Sequence, residues 1–273
     1  MVITSKDNEQ IKHIRKLKEK KYRDEYNEYV IEGIKLIKEA IQEDANIKTI
    51  IACDNCVKNE EIDPKIMYEI AKYNCIYVEE KVFSSITDVK NPQGLLAIMS
   101  KEQKEEKIDF KEDIIVVLDN VQDPGNVGTI LRTVDSIGLK QIIVSKNSGD
   151  VYNPKVVRST MGAILRVNVI ESQDLVETLK TIKKHKFDIV ATSLQTDNTI
   201  YDIDYKKKVI VIGNEANGVS KEILDLADEK VKIPMLRKNR KPKCSSSNGD
   251  NIIWVCKAKI NEKKLKVIKE IRI

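Results

Sequence analysis

Histidine is nearly missing from this chain: His13 and His185 are the only two in 273 residues. A Ser-His-Asp triad or a histidine-rich metal site therefore has too little to draw on, and any acid–base work falls to other groups. The five cysteines (Cys53, Cys56, Cys75, Cys244 and Cys256) are odd in number and have no disulfide-framework spacing. Cys53-x-x-Cys56 has the spacing of a metal or redox pair, but no second pair matches it and both histidines are remote, so no metal is expected. No apolar run is long enough to span a bilayer, and the N-terminus lacks a signal-peptide core. A cytoplasmic protein away from membranes is expected. No strand pattern leads into a G-x-G-x-x-G triplet or a Walker lysine, which disfavours a nucleotide-binding dehydrogenase.

Charge is plentiful. Lysine and arginine number 48 against 43 acidic residues, a net +5 that permits an RNA partner without demanding one. The first hundred residues open on a basic helical pattern. Ile11, Ile14 and Leu17 recur among Lys12, Arg15, Lys16, Lys18, Lys20, Lys21 and Arg23. Such a helix suits a phosphate backbone, although a solvated face has the same look. Tyr29-Val30-Ile31-Glu32-Gly33 follows, and strand patterns at 47–52, 76–78 and 94–99 then alternate with helical ones, as in a small α/β unit. The tract from Lys101 to Lys107 is almost wholly charged, and we place a linker at 105–112 between domains at 1–104 and 113–273. Beyond it, apolar strands at 114–118, 141–145, 188–193 and 208–212 alternate with helices at 127–137, 153–162, 173–184 and 220–227. That order favours a parallel sheet covered on both faces.

Two segments carry chemistry. In the first, the strand ending at Leu118 breaks at Asp123-Pro124-Gly125, read as a turn, and a helix then brings in Asn126 and Arg132. The two are six positions apart, nearly two turns of helix. A carboxamide and a planar guanidinium there suit phosphate and ribose. A plain βα turn with a capping Asn and a surface Arg is the other reading. In the second, Val209–Ile212 runs into Gly213-Asn214-Glu215-Ala216-Asn217-Gly218, with Ser220 as a helix N-cap. Gly213 lets backbone approach a ligand closely, and Gly218 can take a positive φ. An ordinary strand-to-helix turn remains open here too. A third segment, Val231–Leu236, is short and apolar with Pro234 inside it.

In this order and spacing the three segments resemble the SpoU (TrmH) family of RNA ribose 2′-O-methyltransferases, of the SPOUT superfamily. Asp119–Thr133 is similar to its first motif, Ile212–Gly218 to its second, and Ile233-Pro234-Met235 to the start of its third. Asp150–Ala163 looks like the intervening region. The N-terminal part, with Glu32-Gly33 and Asn91-Pro92-Gln93-Gly94, resembles a ribosomal-protein-L30-like (L30e-like) substrate-binding domain. The resemblance implies an α/β fold whose mainly parallel C-terminal domain is a SPOUT α/β-knot, threaded as a deep trefoil. It implies S-adenosylmethionine as cofactor, contacted by Gly213 and Ile233 with Glu215 and Met235 nearby. It also implies a homodimer acting on structured RNA, rRNA first and tRNA second. Asn126 and Arg132 become the polar residues beside the attacking hydroxyl. Because the Arg132 guanidinium stays charged, we read it as a clamp that stabilises developing alkoxide, with Asn126 orienting it, and not as the base.

The third motif departs from the family pattern. After Leu236 the family continues with Gly, polar residues, Ser-Leu-Asn and a small-residue helix, whereas this chain reads Arg237-Lys238-Asn239-Arg240-Lys241-Pro242-Lys243-Cys244-Ser245-Ser246-Ser247-Asn248-Gly249. With synonymous codons chosen, the same bases read one position later spell Gly-Lys-Thr-Glu-Ser-Leu-Asn-Ala-Ala-Val-Ala-Thr-Gly. Natural divergence in a surface loop is one explanation; the other is a one-base insertion or sequencing error near Leu236, with a second indel near Cys256 restoring the frame. A chain made as printed is then expected to bind cofactor poorly, leaving a catalytically impaired RNA-binding protein as the alternative function.

Overall fold

The structure, a computed structural model, describes residues 2–58, 63–101, 107–200 and 202–232. The chain divides into two compact units, Met1–Gln103 with Asp150–Arg166 and Lys104–Gly149 with Val167–Ile273. The stretch 150–166, expected within the second domain, thus packs with the first unit.

In the first unit β1 (Val2–Ile3), α1 (Glu9–Lys16) and α2 (Lys20–Tyr26) precede β2 (Glu28–Glu32), α3 (Ile34–Gln42), β3 (Ile47–Cys53) and α4 (Asp54–Lys58). Then come α5 (Pro64–Ile70), β4 (Cys75–Val78), α6 (Glu80–Ile86) and β5 (Leu95–Ser100). Among the described residues its sheet has the order β1-β4-β3-β5-β2, with β5 antiparallel to both β2 and β3. Ile11, Ile14 and Leu17, the apolar stripe of α1, close a core with Ile51, Val82, Phe83 and Leu96.

The basic stretch is not one helix but two, and not all of it is surface. Arg23 is 2% exposed: its guanidinium donates to the carbonyls of Leu17 and Lys18, both at 2.7 Å, and pairs with Asp150 at 2.5 Å. It joins the two helices from inside and is not available to a phosphate. The helix expected at 153–162 is likewise split into α8 (Pro154–Ser159) and α9 (Ala163–Arg166). Met161 and Gly162 between them take positive φ, 50° and 91°, which no helix continues through.

The second unit holds β6 (Ile114–Asp119), α7 (Pro124–Ser136) and β7 (Gln141–Ser145). After the excursion through α8 and α9 follow β8 (Asn168–Ser172), α10 (Leu175–Lys184), β9 (Asp188–Thr192), β10 (Lys208–Gly213), α11 (Lys221–Leu226) and β11 (Glu229–Val231). Its described strands are parallel throughout, in the order β11-β9-β10-β6-β7-β8. Every residue of β6, β7 and β10 is buried. This is why these strands read as unbroken apolar runs: both faces are covered. Ile115, Val117, Val209 and Val211 pack on Leu179, Ile182 and Ile223. Ile108 and Phe110, in the expected linker, pack against this core as well. The mixed α/β architecture with a parallel sheet is as expected. The segment past Lys232, on which the expected knot depends, lies outside the described residues. No described helix is long and apolar enough to cross a membrane.

Candidate active site

The parallel order has a switch point. From β6 the chain proceeds outward through β7 and β8, then returns to build β9 and β10 on β6's other side. In such sheets the crevice beyond the strands' carboxyl ends, where the order reverses, is the place for a ligand. Asp119 and Gly213, the last residues of β6 and β10, are direct neighbours across that point.

Loop chemistry shapes the crevice. Asn120 leaves β6 with φ 56°, and its backbone N–H is taken by the Ser145 hydroxyl at 2.9 Å. Asp123-Pro124 then starts α7 directly. The Asp123 carboxylate accepts from the Asn126 N–H at 2.9 Å, and Pro124 occupies the first helical turn, where its missing N–H costs nothing. What reads in sequence as a turn is a helix cap, so the helix begins three residues earlier than expected. On the other side Asn214 folds its loop: its Oδ1 accepts from the N–H groups of Ala216 and Asn217 at 3.0 and 3.1 Å. Its Nδ2 reaches the Asn120 carbonyl at 2.9 Å. Gly218 has φ 73°, as expected. Gly213 is required for a reason other than a ligand: a Cβ there would lie 2.1 Å from the Gly218 carbonyl carbon and the Val219 nitrogen.

The two loops are clasped by Glu215. Its Oε1 accepts from Asn126 Nδ2 at 2.8 Å and from the Asp123 N–H at 3.2 Å, and its Oε2 accepts from the Gln122 N–H at 3.4 Å. A carboxylate at the N-terminus of a 13-residue helix also meets the positive end of the helix dipole. Asn126 itself is 4% exposed. Its amide hydrogens face Glu215, so its orientation is set, and its Oδ1 carries no hydrogen bond among the described residues. Arg132 is exposed and makes no hydrogen bond or ion pair among the described residues. Six residues at 100° each put it about 120° around α7 from Asn126, so the structure sets the two on one helix but not on one face.

Asp119 was not singled out by sequence reasoning. It is 2% exposed, with Oδ2 accepting from the Ser220 N–H at 2.7 Å and Oδ1 from Asn120 Nδ2 at 2.7 Å. Ser220 stands at the N-cap of α11, but its side chain makes no capping bond. An Asp at the end of an otherwise apolar strand was the available signal. Ile233 and Met235, the two later cofactor candidates, lie outside the described residues, as does the altered stretch 237–256.

Asn120, Gln122, Asn214, Gly218, Ser220 and Leu224 line a concavity of about 700 Å³ at this crevice. That is the size of small-molecule sites, and its lining, which also takes in Ala216, Asn217, Val219 and Lys221, mixes carboxamides and loop backbone with apolar side chains and one cation. No cluster of three metal-ligating side chains is present among the described residues.

Residues 113–241 match the profile of the SpoU rRNA Methylase family, and residues 8–97 match that of the MRM3-like substrate binding domain. The 23S rRNA (guanosine(2553)-2′-O)-methyltransferase RlmP of Bacillus subtilis is 28% identical over 234 residues, 85% of this chain and 90% of that protein. The uncharacterized tRNA/rRNA methyltransferase MG252 of Mycoplasma genitalium is 30% identical over 217 residues, 76% of this chain and 88% of its own. The AdoMet-bound rRNA methyltransferase of Sinorhizobium meliloti superposes with a TM-score of 0.79 at 28% identity, covering 94% of this chain and 97% of that one.

Proposed function

Since the chain belongs to the SpoU rRNA methylase family of RNA methyltransferases, we propose that it methylates a ribose 2′-hydroxyl of structured RNA, rRNA before tRNA, with S-adenosylmethionine as donor. The observation that carries this reading is the Glu215–Asn126 clasp at the sheet's switch point. The 2′-O position rests on the likeness to the Bacillus enzyme, and the donor on the AdoMet-bound neighbour.

The cofactor, when bound, supplies a methyl group activated by sulfonium charge. The protein's own part is positioning and electrostatics. Gly213, the last residue of β10, and Glu215, in the loop that follows it, are assigned to the cofactor together with Ile233 and Met235. The fixed Asn126 Oδ1 accepts a hydrogen bond from the ribose hydroxyl and aims its oxygen. Arg132, always charged and without a hydrogen bond or ion pair among the described residues, clamps the ribose or an adjacent phosphate and stabilises the alkoxide as the proton passes to solvent water. Holding both reactants in one geometry supplies much of the acceleration, up to roughly 7–11 kcal/mol in favourable intramolecular reactions. We assign RNA-substrate binding to residues 1–104, with a linker at 105–112 and the methyltransferase at 113–273. The unit works as a cytoplasmic homodimer.

Methyl transfer from labelled AdoMet to total RNA tests this, with ribose methylation mapped by resistance to alkaline cleavage. Label in alkali-resistant dinucleotides, lost in Arg132→Ala, is expected. Label on bases alone would overturn the ribose assignment. A second reading, a catalytically impaired RNA-binding protein, is favoured by one observation. The tract from Arg237 lacks Ser-Leu-Asn, and the family match ends at residue 241. Calorimetric titration with AdoMet separates the two: micromolar affinity removes the second reading, and its absence in a chain confirmed by resequencing supports it.

A further inference from the structure

Most cations of the first two helices are already engaged. Lys12 pairs with Glu9 at 2.9 Å, Lys18 with Asp88 at 2.7 Å, Lys20 with Asp24 at 2.9 Å and Arg23 with Asp150 at 2.5 Å. Arg15 donates to the Ser85 hydroxyl at 2.8 Å. Lys16 and Lys21 are different. Both are exposed and neither makes an ion pair among the described residues, although the charge of Lys16 acts on Glu9, already paired with Lys12, and Glu19 lies between the two in sequence. Both instead hold their ammonium groups over one ring, that of half-buried Tyr22, at 5.4 and 5.5 Å from its centre. Tyr22 in turn stacks on Tyr26, with ring centres 6.1 Å apart and planes 12° from parallel, and Tyr26 leans on His13.

An exposed cation–π contact is weak, and a phosphate competes for the same ammonium far more strongly. Moving the two lysines onto phosphates uncovers the face of Tyr22, which the stack on Tyr26 keeps in a fixed plane. A flat apolar face between two exposed cations fits single-stranded nucleic acid, whose bases stack while its backbone is neutralised. We propose that Lys16, Lys21 and Tyr22, at the elbow between α1 and α2, form an RNA contact surface where the lysines take phosphates and Tyr22 receives an unpaired base. The proposal rests on the reading of the chain as an RNA-modifying enzyme and assigns part of its substrate contact.

The test is fluorescence anisotropy of the full chain with a fluorescein-labelled single-stranded oligouridylate, titrated over a range of KCl concentrations. Lys16→Ala/Lys21→Ala is expected to flatten the dependence of log K on log salt by about 1.4, two phosphates at about 0.7 each. Tyr22→Leu is expected to weaken binding roughly tenfold with the slope kept, while Tyr22→Phe, which retains the face, binds as wild type. Lys35→Ala/Lys38→Ala removes the same charge from exposed positions on α3 and serves as control. An equal loss of slope in that control, or unchanged binding in Tyr22→Leu, would overturn the surface assignment. Failure of the unaltered chain to bind any RNA would instead count against the enzyme reading beneath it.

Discussion

Polar side chains fasten elements together in both units, Lys208 joining Asp188 to Glu229 in the second, but among the described residues the second also gathers them into a cluster. In the first, polar groups fasten one element to the next: Arg23 ties two helices and Asp150 together, and Glu28 joins His13 to Lys48. In the second, Asp119, Asn120, Asn126, Asn214 and Glu215 converge on one edge. Strand direction explains the difference. When all strands run the same way, the loops leaving their carboxyl ends collect on one side, and residues far apart in sequence meet there. The mixed sheet of the first unit sends its loops to both ends and assembles no comparable cluster among the described residues.

Breaking a fastener should therefore cost stability, and breaking the cluster should cost chemistry. The largest effect is expected at Arg23. Its replacement by Ala leaves Asp150 without its buried partner and two helix-end carbonyls without donors, a loss of about 3–5 kcal/mol. Urea denaturation measures it, and a loss below about 1 kcal/mol would mean that Arg23 is an ordinary surface charge. Arg132→Ala is the counterpart. Methyl transfer is expected to fall about 10²–10³-fold, with stability unchanged within about 0.5 kcal/mol because the side chain is exposed and makes no hydrogen bond or ion pair among the described residues.

These two arginines also mark what a sequence can and cannot reveal. Within its own segment Arg23 looks like every neighbouring cation, because the partner that buries it is 127 residues away. The inner strands β6, β7 and β10 were legible because burial on both faces demands unbroken apolar runs. β8 and β11 escaped notice for the converse reason: they are the edges of the sheet, partly exposed, and their residues mix Asn, Glu and Lys with apolar ones. The start of α7 was placed late because Asp-Pro serves equally as a turn or as a cap with first turn, and only the Asp123–Asn126 bond decides. Spacing placed Asn126 and Arg132 on one helix. The clasp from Glu215 to Asn126 crosses 89 residues and leaves no trace in periodicity.

Glu215→Gln sharpens the account of the clasp. One acceptor oxygen then faces donors that two now serve, so one charge-assisted bond is lost. AdoMet affinity is expected to drop about tenfold, the equivalent of roughly 1.4 kcal/mol, with smaller change in unfolding. A variant that binds as tightly as the parent would show that the loops are held by Asn214 and Asp119 alone.

The smallest effect is expected in the first unit and depends on pH. Burial pushes the Glu28 carboxyl up, but hydrogen bonds from Lys48 at 2.8 Å and His13 at 2.6 Å, with their charges, outweigh it and hold the group below its ordinary value. A carboxylate depressed in the folded state adds stability above its unfolded value, near about 4.3, and loses it as pH falls through the lower folded one. The stability gap between the parent and Glu28→Gln should accordingly be constant through neutral pH and close only in acid, below the usual carboxylate range. Urea midpoints across that range measure it. A gap that stays unchanged in acid would overturn this account of Glu28.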